Sequence, residues 1–181
     1  MNPFEILGME PRLVLDREEL NQAFREAGKS SHPDAGGSEE GFAELQAAQA
    51  MLQSPARRLK AWLEVRGLEV ESRGSIGPEL MDEFGRVGEV TQQAEAIIRK
   101  REAAQSALAK AMLEGETHVC REALEKAMMR IEVLIEQSCA GFESLETGGK
   151  VDIAKASQWV RDLSFLEKWQ ASLRALYAKM L

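Results

Sequence analysis

Apolar side chains in the first third of the chain recur every three or four residues, which is the spacing of amphipathic helices. Two long helices are predicted from stripes formed by Leu20, Phe24 and Ala27, and by Phe42, Leu45, Ala48 and Leu52. No stretch alternates apolar and polar residues for long enough to predict a strand. Because only a short loop separates the two long helices, they are expected to form an antiparallel pair.

Local signals predict where these helices begin and end. Asp16 with Glu19 three residues later is typical of a capping box, so a helix should begin there. It should end near Ser31, because Pro33 disfavours helical geometry in the residue before it. The remaining predicted boundaries are a helical turn from Phe4 to Leu7, an N-cap at Ser38, an N-cap and first helical proline at Ser54 and Pro55, and a terminating glycine at Gly67.

The last hundred residues predict three more amphipathic helices in an up-down-up bundle. The first should run from Pro78 towards Leu113 and be broken by Gly115. Thr117 is then expected to cap the second helix, which the glycine pair at 148–149 would end. The third carries a stripe made of Leu163, Leu166, Trp169, Leu173, Leu176 and Met180.

The positions of the prolines divide the chain into two parts. All five prolines lie within the first 78 residues, so long uninterrupted helices are expected only after them. Residues 70–77 are polar and contain two glycines, which is typical of a linker. The chain is therefore predicted to be all-α, with an N-terminal helical hairpin domain over residues 1–69, a linker over 70–77 and a three-helix bundle over 78–181.

The charge balance and the lengths of the apolar runs narrow the possible partners. With 23 basic and 30 acidic residues the net charge is −7, so nucleic acid is a poor partner. The apolar runs are only a few residues long, so no membrane partner is expected. Glu5 interrupts the start of the chain before an apolar signal segment could form. The expected location is the cytoplasm, or an organelle matrix if a targeting segment has been removed.

Few residues suit catalysis or metal binding. The chain has two histidines, and a base–orienter pair of His32 and Asp34 beside a serine lacks the motif of a nucleophile elbow. Cys120 and Cys139 are far apart, with no neighbouring residues at ligand spacing, and are read as small buried side chains. No enzyme activity, metal or cofactor is predicted. A helical enzyme subunit remains an alternative interpretation, which the scarcity of histidines and of clustered carboxylates disfavours.

The tripeptide His32-Pro33-Asp34 lies in the loop of the predicted hairpin, after Arg25 and Lys29. This arrangement resembles the J-domain, whose helix–HPD loop–helix hairpin docks on DnaK-type chaperones and stimulates their ATP hydrolysis. The opening NPFEILGM and the later LQSPARR are similar to its first and fourth helices. The resemblance covers about the first 66 residues.

The resemblance implies a chaperone-contact set consisting of Arg25, Lys29, His32, Pro33 and Asp34. Pro33 would keep the turn rigid, and the Asp34 carboxylate could reach an arginine of the partner. Two features differ from typical J-domains: Ala35 stands where lysine is usual, and the helix is only weakly basic, so electrostatic steering should be weak. Without the tripeptide, Arg25 and Lys29 would read simply as a solvated helix face.

The second part of the chain narrows the resemblance to one J-protein family. A J-domain followed by about 100 residues of helical bundle resembles HscB, the co-chaperone of iron–sulfur cluster assembly. The segments ELMDEF and VRDLSFLEKWQASLRAL are similar to parts of that family's bundle. The implied partners are a DnaK- or HscA-type chaperone and a cluster scaffold protein of the IscU type.

An apolar patch on the bundle holds the scaffold in that family, which implies Leu80, Met81, Phe84 and Phe165 here. Periodicity alone would place all four in the core of the bundle. Gly85 and Gly88 stand where the family has acidic residues. The chain is therefore interpreted as an HscB-like co-chaperone. The alternative is a J-protein or J-like adaptor whose bundle binds another client or serves assembly.

Overall fold

The computed structural model describes residues 2–31, 38–71 and 73–181. This part of the chain is built from helices and contains no strand, so the predicted all-α class is confirmed. The helices are α1 (Pro3–Ile6), α2 (Arg17–Ser31), α3 (Glu39–Gln53), α4 (Pro55–Val65), α5 (Met81–Ala103), α6 (Ala107–Ala140), α7 (Phe142–Thr147) and α8 (Ile153–Ala178), with a 3₁₀ turn over Pro78–Leu80 before α5.

The helices are organised in two compact units. The first comprises Met1–Gly74 and Gln137–Ser164, and the second comprises Ser75–Glu136 and Phe165–Leu181. Helices α6 and α8 therefore each contribute to both units. The division into residues 1–69, 70–77 and 78–181 remains a prediction about domains.

Side-chain caps fix the starts of the helices in the first unit, as the sequence predicted. Asp16 accepts a hydrogen bond from the Glu18 amide (3.2 Å) at the start of α2, whereas Glu19, the other member of the predicted capping box, forms an ion pair with Arg12. Ser38 accepts one from the Gly41 amide (3.0 Å) at the start of α3. Ser54 likewise accepts one from the Arg57 amide (3.2 Å), with proline at the first position of α4. These bonds satisfy amides that have no partner within the helix.

The turn after α4 shows why a glycine ends that helix. Gly67 has φ +71°, a left-handed conformation that other residues adopt at a cost. Its amide donates to the Glu64 carbonyl oxygen (2.9 Å), and the next amide, that of Leu68, donates to the Leu63 oxygen (3.0 Å). The prediction of a helix ending at Gly67 is confirmed.

A long-range cluster joins residues 137–164 to the N-terminal helices within the first unit. Phe142 is fully buried, with its ring centroid 5.4 Å from that of Trp159 and the Arg58 guanidinium 5.8 Å from the Phe142 ring. Gly141 allows this packing, because a Cβ there would lie 2.6 Å from the Trp159 ring. The Glu71 amide also donates to Ser157 Oγ (3.1 Å).

The second unit is a helical bundle with one continuous apolar core. Its buried members come from the 3₁₀ turn and from α5, α6 and the end of α8, and they include Leu80, Val87, Ala94, Leu124, Ile131, Leu166, Trp169 and Leu173. The three-helix arrangement predicted for this part is thus built mainly by α5, α6 and the C-terminal half of α8.

Two predicted boundaries in the bundle are wrong. The first helix ends at Ala103 rather than near Leu113, and α6 begins before Gly115 and runs through it. Ser106 supplies the cap, since its Oγ accepts from the Ala109 amide (3.1 Å). Thr117 lies inside α6, where its hydroxyl donates to the Leu113 carbonyl oxygen (2.8 Å). A lone glycine destabilises a helix by only about 1 kcal/mol, and the helix-forming alanine, leucine and methionine residues around Gly115 offset this cost.

The end of α6 also differs from the prediction. Rather than continuing to the glycine pair at 148–149, the helix stops at Ala140, and the short helix α7 follows after Gly141. At this interruption Gly141 leaves room for the Trp159 ring, and the Phe142 ring is buried against that ring in the first unit.

Candidate partner-binding surfaces

The first candidate surface is the exposed face of α2. The rings of Phe24 and Phe42, 6.3 Å apart, pack α2 against α3 on the opposite side. Arg25 is exposed, and its Nη2 lies 2.8 Å from Glu18 Oε1. Lys29 is exposed as well, with its Nζ 2.8 Å from both carboxylate oxygens of Glu26.

These two ion pairs are weak and exchangeable. Exposed pairs contribute about 0–1 kcal/mol, because water already solvates both groups well. Either Arg25 or Lys29 can therefore exchange its carboxylate for one on a partner at little cost. The other members of the predicted set, His32, Pro33 and Asp34, lie outside the described residues.

The second candidate surface lies where α5 begins. Met81 and Phe84 are 54% and 55% exposed, whereas Leu80 is 8% exposed and belongs to the core of the second unit. Phe165 is partly buried against the same core. The structure therefore separates the four residues of the predicted scaffold-binding set: two on the surface, one at the edge and one inside.

The Trp169 ring contacts two aromatic members of this set, Phe84 and Phe165. Its ring centroid lies 6.0 Å from that of Phe84 and 6.0 Å from that of Phe165. The three rings are in tilted contact, the geometry that aromatic pairs prefer. Phe84 is exposed, Phe165 is partly buried, and Trp169 is 7% exposed and links them to the core of the second unit. We call Met81, Phe84, Phe165 and Trp169 the aromatic patch. The spacing of four between Phe165 and Trp169 was the only sequence signal for including Trp169.

A buried carboxylate, that of Glu83, lies next to Phe84 in the first turn of α5. Glu83 is 4% exposed, and its Oε2 lies 3.1 Å from Arg86 Nη1 while its Oε1 lies 3.1 Å from Arg130 Nε. A buried carboxylate needs such partners, because transfer out of water is costly for an unpaired charge. The Glu83–Arg130 pair ties the start of α5 to α6. Sequence reasoning missed it, since an acidic residue in the first turn of a helix looks like an ordinary dipole partner.

The glycines beside the patch leave open space. A Cβ added at Gly85 or Gly88 would meet no atom within 4 Å. Neither glycine is therefore required by packing, and this part of α5 presents bare backbone to its surroundings.

The described residues offer little else for chemistry. No three histidine, cysteine or acidic side chains among them are grouped to hold a metal ion. Burial raises the pKa of the Cys120 thiol, which keeps it in the unreactive protonated form. The hydrogen bond from Tyr177 to Glu125 (2.6 Å) raises the pKa of the tyrosine hydroxyl. Within the described ranges, every helix is too short or too polar to traverse a bilayer.

Comparison with known proteins finds a likeness among solved structures. No family model matches the chain, and no curated protein matches it. The solved structure of the chaperone HscB from Vibrio cholerae is similar, with a TM-score of 0.60 over 100% of both chains and 21% sequence identity. The chain has an HscB-like fold. At this identity the likeness concerns the HscB fold, and the roles of individual residues rest on the surfaces described above.

Proposed function

We propose that this protein is a co-chaperone that stimulates ATP hydrolysis by a DnaK- or HscA-type chaperone and delivers an iron–sulfur cluster scaffold of the IscU type to it. The observation that carries the proposal is the HscB-like fold over the whole chain, together with His32-Pro33-Asp34 between α2 and α3. Residues 1–69 are assigned the chaperone contact, residues 70–77 the linker and residues 78–181 the client contact. The assigned location is the cytoplasm, and no catalytic role is assigned.

Chaperone contact is assigned to Arg25, Lys29, His32, Pro33 and Asp34. The first two are exposed on α2, and their weak ion pairs leave the guanidinium and ammonium groups ready to meet an acidic surface. Because Glu18 and Glu26 neutralise much of this charge, the contact depends on local geometry more than on long-range attraction.

Client contact is assigned to the aromatic patch. Large apolar side chains that leave about half of their surface in water are typical of the anchors of protein interfaces. Met81 and Phe84 have this exposure, and Phe165 borders them. Leu80 supports the patch from the core and is not expected to touch a client directly.

One observation favours the alternative, a J-protein whose bundle binds a different client. The open space at Gly85 and Gly88 offers no carboxylate to a basic scaffold surface beside the aromatic patch. The two functions differ in the client and share the chaperone.

An ATPase assay with a cognate chaperone tests the shared part. His32→Gln should abolish stimulation while the circular dichroism spectrum and melting temperature stay unchanged. The matched control is His118→Gln, which replaces the chain's other histidine on the exposed face of α6 and should retain stimulation. Full stimulation by His32→Gln would refute the co-chaperone assignment.

Titration calorimetry with purified scaffold tests the client. Binding of wild-type protein, lost when Phe84 is replaced by alanine, supports scaffold delivery. Absence of binding under conditions where the chaperone is stimulated would instead leave the J-protein with another client.

A further inference from the structure

Helix α6 carries a second apolar surface, on a face separate from the aromatic patch. Five of its large apolar side chains are 47–75% exposed, namely Leu108, Met112, Val119, Met129 and Val133. Burying such side chains is favourable, and a contiguous set on one helix is unusual on a free surface. Their spacing shows what could cover them.

The exposed residues follow a heptad pattern along α6. Steps of four and three lead from Leu108 to Met112, to Gly115 and to Val119, and the same steps continue through Glu122, Lys126, Met129 and Val133. This is the spacing of a coiled-coil seam. The seam extends over about 38 Å, since a helix rises about 1.5 Å per residue. All eight positions are exposed.

We propose that the seam binds a second copy of this chain, with the two α6 helices antiparallel about a two-fold axis between Cys120 and Arg121. The order of steps reads the same in both directions, so every seam residue then faces another. Leu108 meets Val133 of the second copy, Met112 meets Met129, Gly115 meets Lys126 and Val119 meets Glu122. The apolar residues at the two ends of the seam thus cover one another.

One polar seam residue, Lys126, finds a complementary partner in this register. Beside Gly115 lies an apolar groove of about 550 Å³ between α5 and α6, and Glu116 lies on its border. The absent side chain at Gly115 leaves room for the stem of Lys126 from the second copy. Its ammonium group reaches the Glu116 carboxylate, which already holds Lys100 Nζ at 2.7 Å in an exposed, exchangeable ion pair.

The same register brings a histidine to carboxylates near the two-fold axis. His118 of one copy comes within about one helical turn of Glu122 and Glu125 of the other. Two-fold symmetry repeats both this contact and the Lys126–Glu116 contact. Opposite charges therefore meet at two places, where Lys126 reaches Glu116, while His118, which lies 3.4 Å from Glu122 of its own helix, adds a polar contact. This complementarity favours a second copy over an unrelated apolar helix.

The size of the seam sets the expected strength of the dimer. A helix about 10 Å wide and about 38 Å long presents a strip of about 380 Å² per copy. Standard stable interfaces bury about 800 Å² per partner, so the dimer should be weak and should form at high micromolar protein. Because each copy carries a charge of −7, physiological salt should favour it by screening the repulsion.

Sedimentation equilibrium of the full chain over a concentration series tests the proposal. Wild type should move from monomer to dimer, and the double variant Met112→Glu, Val119→Glu should raise the dissociation constant at least tenfold. The control Val65→Glu changes an exposed valine in the first unit and should have no effect. A wild type that stays monomeric, or a double variant that still dimerises, would overturn the proposal. If the wild type stays monomeric, the seam would instead be a binding surface for a different protein.

Cross-linking tests the register separately. In a chain with Cys120 and Cys139 replaced by alanine, Met112→Cys and Met129→Cys variants are mixed and oxidised. The expected product joins the two different variants. Two copies of Met112→Cys should not join, because their α-carbons lie about 25 Å apart along the axis. Efficient joining of identical variants, or none between the different ones, would refute the antiparallel pairing.

Discussion

The contrast between Leu80 and Phe84 gives the sharpest test of the aromatic patch. Leu80 is 8% exposed in the core, so Leu80→Ala should destabilise the second unit by about 3 kcal/mol, the lower end for buried leucine. Phe84 keeps 55% of its surface in water. Less than half of the usual cost of about 3–5 kcal/mol for phenylalanine should apply, so Phe84→Ala should cost about 1.5–2 kcal/mol. Part of that is the lost contact with Trp169.

Binding should show the opposite order. Phe84→Ala should weaken binding of the scaffold by 10- to 100-fold, about 1.4–2.8 kcal/mol, as truncation of an interface anchor does. Leu80→Ala should keep nearly wild-type affinity at a temperature where it is folded. Stability is measured by urea denaturation followed by circular dichroism, and affinity by calorimetry. Equal destabilisation by both substitutions would refute the burial argument, and scaffold binding undiminished by Phe84→Ala would refute the patch as the client site.

Three further results are expected. Gly141→Ala should destabilise the first unit by about 1–3 kcal/mol, because the added Cβ would lie 2.6 Å from the Trp159 ring. Gly115→Ala has free space around the added Cβ and should stabilise α6 by up to about 1 kcal/mol, and thermal unfolding of the two variants distinguishes these effects. The hydrogen bond to Glu125 raises the Tyr177 pKa, so its stabilisation is complete below the unfolded-state value near 10 and is lost as the pH rises through the folded-state value. Wild type should therefore lose more stability than Tyr177→Phe as the pH rises above about 10, and equal losses would exclude the linkage. Chaperone affinity should fall only modestly between low and moderate salt, since the basic groups on α2 are already paired, and a steep fall in a binding titration would contradict this.

Local chemistry explains why much of the first unit could be predicted. Ser38 and Ser54 cap helices, and Gly67 ends one, because each acts on backbone groups within a few residues of itself. The same reasoning failed at Gly115, where the cost of one glycine is small compared with the packing of α6 along its whole length. Helix starts with a strong cap are readable from sequence, whereas a weak break inside a packed helix is not.

The sequence predicts the burial and contacts of a candidate surface residue only where its neighbours lie on the same helix. Leu80, Met81 and Phe84 share one short stretch, yet their burial differs, because Leu80 packs into the core with residues of α6 and α8 while Met81 and Phe84 stay exposed. The partners of Glu83 include Arg130, 47 positions away in the sequence, and no periodicity within α5 indicates that contact. Such pairings depend on tertiary packing, which helical spacing does not encode.

The contribution of residues 137–164 to the first unit has a consequence for dissecting the protein. The chain passes between the units three times, near residues 75, 137 and 165, so no single cut separates them. A fragment ending at residue 69 would lack Phe142, which packs beside Arg58, and Glu146, which accepts a hydrogen bond from the Leu13 amide. Limited proteolysis should therefore release no stable N-terminal fragment. A shortened protein should instead keep both segments of the first unit in one polypeptide, joined by a loop where the second unit is removed.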